Sequence, residues 1–256
     1  MTELKKWHKL GFMPSATDHG NQFASHHMEL QGLQLHYKSA GEGPPVILLH
    51  GAANDWHEWE RNLGPLAQNC HAYAPDLPGF GSSSPAMREL APSWLILLLK
   101  DFMKNLGLKR ASIMGHSLGG LIAMEMALNY PGMVDKLVLV NSAGLGDVSR
   151  PGALLMHLVG GIQRLLGKES SHQFSTDARE RWLLIQHLKE IKCPVLLVWG
   201  EHDPYFPKAH ALRARDLIPL ARLEIFPGCR HAPHRENPKR FDVLVTQFLK
   251  DDIQGC

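Results

Sequence analysis

The sequence predicts an α/β fold in which a mostly parallel β-sheet is flanked by helices. Short apolar runs alternate along the chain with amphipathic stretches of helical length, which is the pattern of successive βαβ units. The 256 residues, 44% hydrophobic and 20% charged, are enough for one large domain and its core. No internal repeat or low-complexity tract interrupts this pattern. We therefore expect the whole chain to build around one sheet.

Strands and helices can be assigned from the spacing of apolar residues. Segment 33–37 alternates between apolar and polar residues, and segments such as 45–50 are apolar almost throughout, as in strands covered on both faces. The predicted strands are 33–37, 45–50, 71–74, 111–114, 136–140, 194–199 and 222–226. The predicted helices are 55–68, 94–106, 118–130 and 237–250, the third ended by Pro131-Gly132.

The pattern changes after the strand at 136–140. Segment 152–166 is apolar on most faces, a polar serine-rich link follows, and a further helix is expected from about 176 to 190. A long insertion between parallel strands usually lies at the carboxyl edge of the sheet, where ligands bind. We interpret 145–175 as a small lid, although an all-round apolar helix can also simply be packed in the core. The domain assignment is then an N-terminal extension at 1–27, the core at 28–144 and 176–256, and this lid.

Charge and hydropathy exclude several classes of partner. The formal net charge of +2 favours neither nucleic acid nor an acidic membrane surface. The first 27 residues lack the apolar core of a secretory signal, and the most apolar run, 94–99, is far shorter than the roughly 20 residues that span a bilayer. We therefore expect a protein without a transmembrane segment.

The cysteines and histidines do not form a recognisable metal site. The four cysteines are scattered without a CxxC pair, which favours a reducing, cytoplasmic setting. His26-His27 and the pair His231 and His234 could suggest a metal, but no HExxH or carboxylate-rich motif accompanies them. We expect neither a metal nor a cofactor.

The sharpest motif is Gly115-His116-Ser117-Leu118-Gly119, between a predicted strand and a predicted helix. This is the G-x-S-x-G nucleophile elbow in the context that it requires. So tight a turn strains the serine backbone, and glycine at positions 115 and 119 avoids side-chain collisions. The helix N-terminus favours negative charge developing beside the serine. We predict that Ser117 is a nucleophile, the alternative being an ordinary glycine-rich turn.

A serine hydroxyl becomes a good nucleophile only when a base takes its proton. His231 follows the last predicted strand, in a loop that can fold back over the sheet edge, and His234 is its competitor. Asp203 lies just past the strand before it and would hold the histidine tautomer, whereas Glu201 is interpreted as a solvated turn residue. The order Ser, Asp, His along the chain is the one that accompanies this elbow.

A tetrahedral intermediate also needs donors for its negative oxygen. The backbone N–H of Leu118, directly after the serine, is one candidate. The backbone N–H of Ala52, in the turn after the strand at 45–50, is the other. His50 is interpreted as a structural hydrogen-bonding residue.

Together these motifs resemble the α/β-hydrolase superfamily, in its serine-nucleophile, esterase- or lipase-like branch. The resemblance covers about 29–248 and rests on His50-Gly51, on the segments 76–81, 115–120 and 199–204, and on His231. It implies an eight-stranded, mostly parallel sheet with a lid after the sixth strand, and acyl transfer through an acyl-enzyme on Ser117. Serine at the elbow argues against the haloalkane dehalogenase and epoxide hydrolase branches, which use a carboxylate there.

Three functions remain open within this resemblance. A carboxylesterase acting on small, apolar ester substrates is the leading hypothesis, because a short apolar lid would line an apolar pocket. Carbon–carbon hydrolases of meta-cleavage products are similar, and segment 141–146 resembles theirs, but they usually place Trp after the catalytic histidine, where this chain has Ala232. A non-catalytic ligand-binding protein is the third, disfavoured by the intact triad positions.

Overall fold

An eight-stranded β-sheet forms the centre of the protein, as seen in a computed structural model that describes residues 23–86, 90–155 and 183–251. The strands are β1 (Ala24–Leu30), β2 (Leu33–Ala40), β3 (Pro45–Leu49), β4 (His71–Pro75), β5 (Ala111–His116), β6 (Val134–Val140), β7 (Val195–Gly200) and β8 (Ala221–Phe226). Their order is β1-β2-β4-β3-β5-β6-β7-β8. Strand β2 pairs antiparallel with β1 and β4, and the other neighbours pair parallel. This confirms the predicted fold class.

Helices cover both faces of this sheet. They are α1 (Glu60–Ala67), α2 (Pro92–Asn105), α3 (Leu118–Asn129), α4 (Lys208–Leu217), α5 (Pro233–Glu236) and α6 (Pro238–Lys250), with short 3-10 helices at Trp56–Trp59, Pro131–Met133 and Leu188–Glu190. Helices α1 and α6 bury apolar residues against one face, and α2, α3 and α4 against the other. Successive residues of the central strands alternate between the two layers, as the two-residue period of a strand requires.

The strand order reverses at the carboxyl ends of two central strands, where open α/β sheets form a crevice. From β3 the chain continues to β4 on one side, and it later enters β5 on the other side. Ligands of open α/β sheets bind at such a reversal of strand order. Leu49 at the end of β3 is in register with Gly115 of β5. The turns after these two strands are those in which the sequence predicts the nucleophile and the oxyanion donors.

Two element boundaries differ from the predictions. Strand β1 begins at Ala24, so the sheet starts before the boundary at 28 that was assigned to the end of an N-terminal extension. This antiparallel edge strand leaves most of its side chains partly or fully exposed, and it therefore lacks the apolar alternation by which strands are recognised. The helix predicted over 55–68 is divided into a 3-10 turn and α1. The Asp55 side chain caps the 3-10 turn by accepting a hydrogen bond from the His57 N–H.

Most of the predicted lid, and residues 176–182 of the helix predicted after it, lie outside the described residues. The chain is helical over 150–155, where the described part ends. The prediction of a helix is wrong for 183–190, which form turns and a short 3-10 helix. Leu184, Leu188 and Ile191 are buried at helix-like spacing although the chain is not an α-helix, and this spacing misled the prediction. Among the described residues, no helix is both long and apolar enough to cross a bilayer.

Candidate active site

The strand-to-helix turn at Ser117 has a strained backbone. Ser117 lies between β5 and α3 with φ 50° and ψ −112°, in a region that residues other than glycine rarely adopt. A Cβ atom at Gly115 would lie 2.2 Å from the Gly119 carbonyl oxygen, and one at Gly119 would lie 2.1 Å from that of Leu49. The Ser117 N–H donates to the Val140 carbonyl at 3.0 Å, which ties the turn to the end of β6. These contacts explain why both glycines are needed.

The structure brings together Asp203 and His231, the aspartate and the histidine named from the sequence, at one edge of the sheet. The Nδ1 atom of His231 lies 2.9 Å from Oδ2 of Asp203. The other carboxylate oxygen accepts the N–H groups of Tyr205 at 2.8 Å and Phe206 at 3.2 Å. Burial disfavours ionisation of Asp203, but the hydrogen bond and charge of His231 and the other donors outweigh burial and hold its pKa below the usual value.

Asn141, for which no role is predicted from the sequence, also contacts the carboxylate of Asp203. Its side-chain nitrogen donates to Asp203 Oδ2 at 2.5 Å, and its side-chain oxygen accepts the Gly200 N–H at 3.0 Å. Asn141 directly follows β6 and has φ 41°, a conformation that asparagine tolerates better than most residues. The sequence feature that could have indicated this role is a polar asparagine immediately after a buried strand.

The loop that carries His231 is held from two sides. The Nε2 atom of His116 donates to the backbone oxygen of His231 at 2.8 Å, and the two rings lie 4.7 Å apart. The carboxylate of Glu236 accepts the N–H of Arg230 at 2.8 Å and that of Ala232 at 2.9 Å, on either side of His231. The loop therefore lies against the residue that precedes Ser117. No role is predicted for Glu236 from the sequence.

The His231 ring is largely enclosed by aromatic side chains. Its centroid lies 4.7 Å from that of Tyr205 and 5.7 Å from that of Phe206, and 21% of the side chain is exposed. Burial lowers the pKa of His231 below its ordinary value, and this effect outweighs the hydrogen bond from its ring to Asp203. Because Nδ1 donates to Asp203, Nε2 carries the lone pair of the neutral ring. That atom can accept a proton.

The proposed oxyanion donors occupy the two turns at the crevice. Leu118 is the first residue of α3, and the N–H groups of a first helical turn have no acceptor within the helix. Ala52 lies in the turn after β3. His50 holds this turn in place, since its Nδ1 donates to the Gly51 carbonyl at 2.7 Å and its Nε2 accepts the Leu77 N–H at 2.9 Å. These contacts are the structural role predicted for His50.

A buried group of three ionisable side chains lies behind these turns. Oε1 of Glu58 is 2.8 Å from Nδ1 of His116 and 3.8 Å from Nε2 of His234. His234 stacks on Trp59 with ring centroids 4.5 Å apart. Burial and the charge of His116 hold the pKa of His234 far below its ordinary value. The structure thus pairs His231, and not its competitor His234, with Asp203.

Comparisons with known proteins agree with this architecture. The chain belongs to the alpha/beta hydrolase family, whose match covers residues 46–242. It is therefore a hydrolase of this fold. The 2-hydroxy-6-oxo-6-phenylhexa-2,4-dienoate hydrolase of Burkholderia cepacia is 30% identical over 86% of this chain and 92% of its own length.

Two solved structures are similar over most of the chain. A membrane phospholipase A, described as a bacterial virulence factor, is 26% identical with a TM-score of 0.79, covering 89% of this chain and 86% of its own. A meta-cleavage product hydrolase from Pseudomonas fluorescens IP01 is 26% identical with a TM-score of 0.72, covering 85% of this chain and 94% of its own. The similar structures thus include one named as a phospholipase and one named as a meta-cleavage product hydrolase.

Proposed function

We propose that the protein is a serine hydrolase that cleaves carboxylic esters of small, apolar molecules through an acyl-enzyme on Ser117. The observation that carries this proposal is the 2.9 Å contact between His231 and Asp203, on a loop whose backbone is bonded to His116, the neighbour of Ser117. A histidine paired with a carboxylate, on a loop that contacts the neighbour of a serine with a strained backbone, is what activation of a hydroxyl nucleophile requires.

The proposed reaction assigns one role to each of these residues. Nε2 of His231 takes the Ser117 proton as Oγ attacks the ester carbonyl, and the N–H groups of Ala52 and Leu118 stabilise the oxyanion. The intermediate collapses, and the alcohol leaves with the proton from His231. Water, deprotonated by His231, then attacks the acyl group and releases the acid and free Ser117. Asp203 stays ionised throughout and stabilises the imidazolium.

The surroundings of His231 support an apolar substrate. Tyr205 and Phe206 pack against its ring. The N–H of Ser149, within the segment interpreted as a lid, donates to the Tyr205 carbonyl at 2.8 Å, so that segment begins beside the same loop. The likeness to a phospholipase A, an enzyme named for ester cleavage, points in the same direction.

Cleavage of a carbon–carbon bond in a meta-cleavage product is the second candidate. The Burkholderia cepacia relative with this activity in its name is 30% identical, and the same serine, histidine and aspartate would serve both reactions. Carbon–carbon hydrolases of this group usually have tryptophan directly after the catalytic histidine. This chain has Ala232 there, which favours the ester-hydrolase hypothesis.

Ser117→Ala tests the nucleophile. We expect a fluorophosphonate probe to label the wild type and not the variant, and hydrolysis of p-nitrophenyl butyrate to fall by about 10⁴-fold or more. Ser112→Ala, on the same strand, is the control and should keep both labelling and activity. An unlabelled wild type would favour the non-catalytic ligand-binding alternative.

A substrate comparison separates the two reactions. Wild-type kcat/KM is measured on a series of p-nitrophenyl esters of increasing acyl length and on 2-hydroxy-6-oxo-6-phenylhexa-2,4-dienoate. We expect a preference for the esters. A higher kcat/KM on the dienoate, still abolished in Ser117→Ala, would replace the ester hypothesis by carbon–carbon hydrolysis.

A further inference from the structure

The buried carboxylate of Glu58 contacts two parts of the candidate site. It projects from the 3-10 helix Trp56–Trp59, and its side chain is 1% exposed. Oε2 accepts the Gly51 N–H at 2.6 Å, and Oε1 accepts the Asn54 side-chain amide at 3.1 Å and lies 2.8 Å from Nδ1 of His116. A buried carboxylate is costly unless it is paired and hydrogen-bonded, and Glu58 is both.

His116 extends this contact to the loop of the proposed base. Its Nε2 lies 2.8 Å from the backbone oxygen of His231, and because a carbonyl only accepts, Nε2 must carry a hydrogen. Its Nδ1 lies 2.8 Å from Oε1 of Glu58, and the negative charge of this carboxylate favours a hydrogen on Nδ1 as well. Burial opposes the positive charge, but the charge of Glu58 outweighs it and raises the pKa of His116.

We propose that the Glu58–His116 ion pair is a positioning device that joins the oxyanion turn to the loop of the catalytic base. Glu58 holds the turn through the Gly51 N–H, and His116 holds the loop through the His231 carbonyl. Neither side chain takes part in the bond changes, so both are positioning residues. This inference rests on the proposed function, since it assigns the pair to that same site.

The same residues offer the donor set of a metal site. One donor atom from each of Glu58, His116 and His234 lies within 4.8 Å of the others. However, His116 already faces the Glu58 carboxylate with Nδ1 and the His231 carbonyl with Nε2. A metal bound through Nδ1 would have to replace the hydrogen that the charged His116 ring carries on that atom. An ion pair explains these contacts directly, and metal binding becomes an outcome of the test.

The charges around His231 make the pair detectable by titration. The His116 cation lowers the pKa of His231, and the Glu58 anion raises it. Removing only the His116 cation leaves the Glu58 anion unopposed and should raise the pKa of His231. Removing both charges should change that pKa little, because their two effects are opposite. Within the described ranges, the other ionisable groups near His231 or the pair are Asp203 and Tyr205 after β7, and His234, Arg235 and Glu236 in α5.

The experiment is a double-mutant cycle of Glu58→Gln, His116→Gln and both together. We expect Glu58→Gln to lower kcat by about 10- to 100-fold with KM changed by less than about twofold, because geometry rather than binding is disturbed. We expect His116→Gln to move the acidic limb of kcat/KM upwards by about one pH unit. Adding Glu58→Gln to it should reverse most of that shift. Glu60→Gln, a half-buried glutamate in α1, is the control.

Stability gives a readout that does not need activity. His116→Gln leaves a buried unpaired carboxylate and should lower the thermal midpoint more than the double variant does. If His116→Gln does not fold, recovery of folded protein in the double variant supports the pair. The proposal would be overturned if His116→Gln folds and its acidic limb of kcat/KM is not shifted. It would also be overturned if the double variant restores neither the acidic limb nor the thermal midpoint relative to His116→Gln.

Two further results separate this inference from the proposed function. A wild type that the fluorophosphonate does not label would overturn the function, while the stability cycle could still reveal the ion pair. If labelling depends on Ser117 but the double-mutant cycle shows no coupling between Glu58 and His116, the inference alone would be overturned. Dialysis against EDTA should leave the activity and the thermal midpoint unchanged, and a loss reversed by Zn²⁺ would assign the three residues to a metal instead.

Discussion

Two opposing effects act on the ring of His231. Burial and the neighbouring His116 cation disfavour its protonation, whereas Asp203 favours it. Burial is the largest of these effects, and the pKa of His231 therefore lies below its ordinary value. A base is useful only in its neutral form, so a lowered pKa keeps His231 in its working state at mildly acidic pH.

This leads to a prediction for the pH profile. As the pH falls through the pKa of His231, the ring takes up a proton and can no longer accept one from Ser117. Because that pKa is lowered, kcat/KM should stay high at the ordinary histidine value of about 6.5 and fall only below it. Measurements from acidic to neutral pH, with circular dichroism at each point to detect unfolding, test this. An acidic limb centred above the ordinary value would contradict it.

The nucleophile elbow depends on the close approach of three elements. The turn between β5 and α3 packs against the end of β3, where the Gly119 backbone faces the Leu49 carbonyl. The same turn is hydrogen-bonded to the end of β6. Such packing leaves no space for a side chain, and the strain at Ser117 is held by its surroundings.

Gly119→Ala should therefore disturb both the elbow and the adjacent oxyanion turn. A Cβ there would lie 2.1 Å from the Leu49 carbonyl oxygen, so backbone must shift. We expect hydrolysis to fall by at least about 100-fold and the free energy of unfolding to drop by about 1–3 kcal/mol. Gly132→Ala is the control, because no atom lies within 4 Å of a Cβ at that position. Equal effects in the two variants would contradict this explanation.

At the scale of the molecule, an apolar layer packs against each face of the sheet, and this packing fixes the strands whose ends carry the site. Helix α6 packs Phe241, Val245 and Phe248 into the layer that also contains Trp59 and the central strands. Phe241 lies 5.8 Å from the ring of His234 and 6.3 Å from that of Trp59. Packing of the closing helix is thus continuous with the buried group behind the elbow.

Phe241→Ala should be strongly destabilising. The side chain is fully buried, and its removal should lower the free energy of unfolding by about 3–5 kcal/mol, measured by chemical denaturation. Val243→Ala on the same helix is the control, because Val243 is 70% exposed and should change stability by less than about 0.5 kcal/mol. A small loss for Phe241→Ala would mean that α6 contributes little to the core.

Most of the sheet and the elbow could be predicted from local patterns. Buried parallel strands are apolar runs, so β3, β6 and β7 are recognisable, and the carboxyl ends of parallel strands share one edge. The turn requires glycine at positions 115 and 119 for steric reasons that the sequence shows directly. The exposed edge strand β1 has no such pattern, and its residues 24–27 were assigned to the N-terminal extension.

The sequence predicted that His231 and Asp203 meet at the edge, but only the tertiary structure showed their contact and the other side chains that join them. His231 and His234 are close in sequence, but only His231 contacts Asp203, because His234 is packed against Trp59. Glu58 and Asn141 contact residues of distant segments, and no periodicity marks such contacts. Local sequence therefore determined the strands, the turns and the reacting residue types, while packing between distant segments determined their partners and their charges.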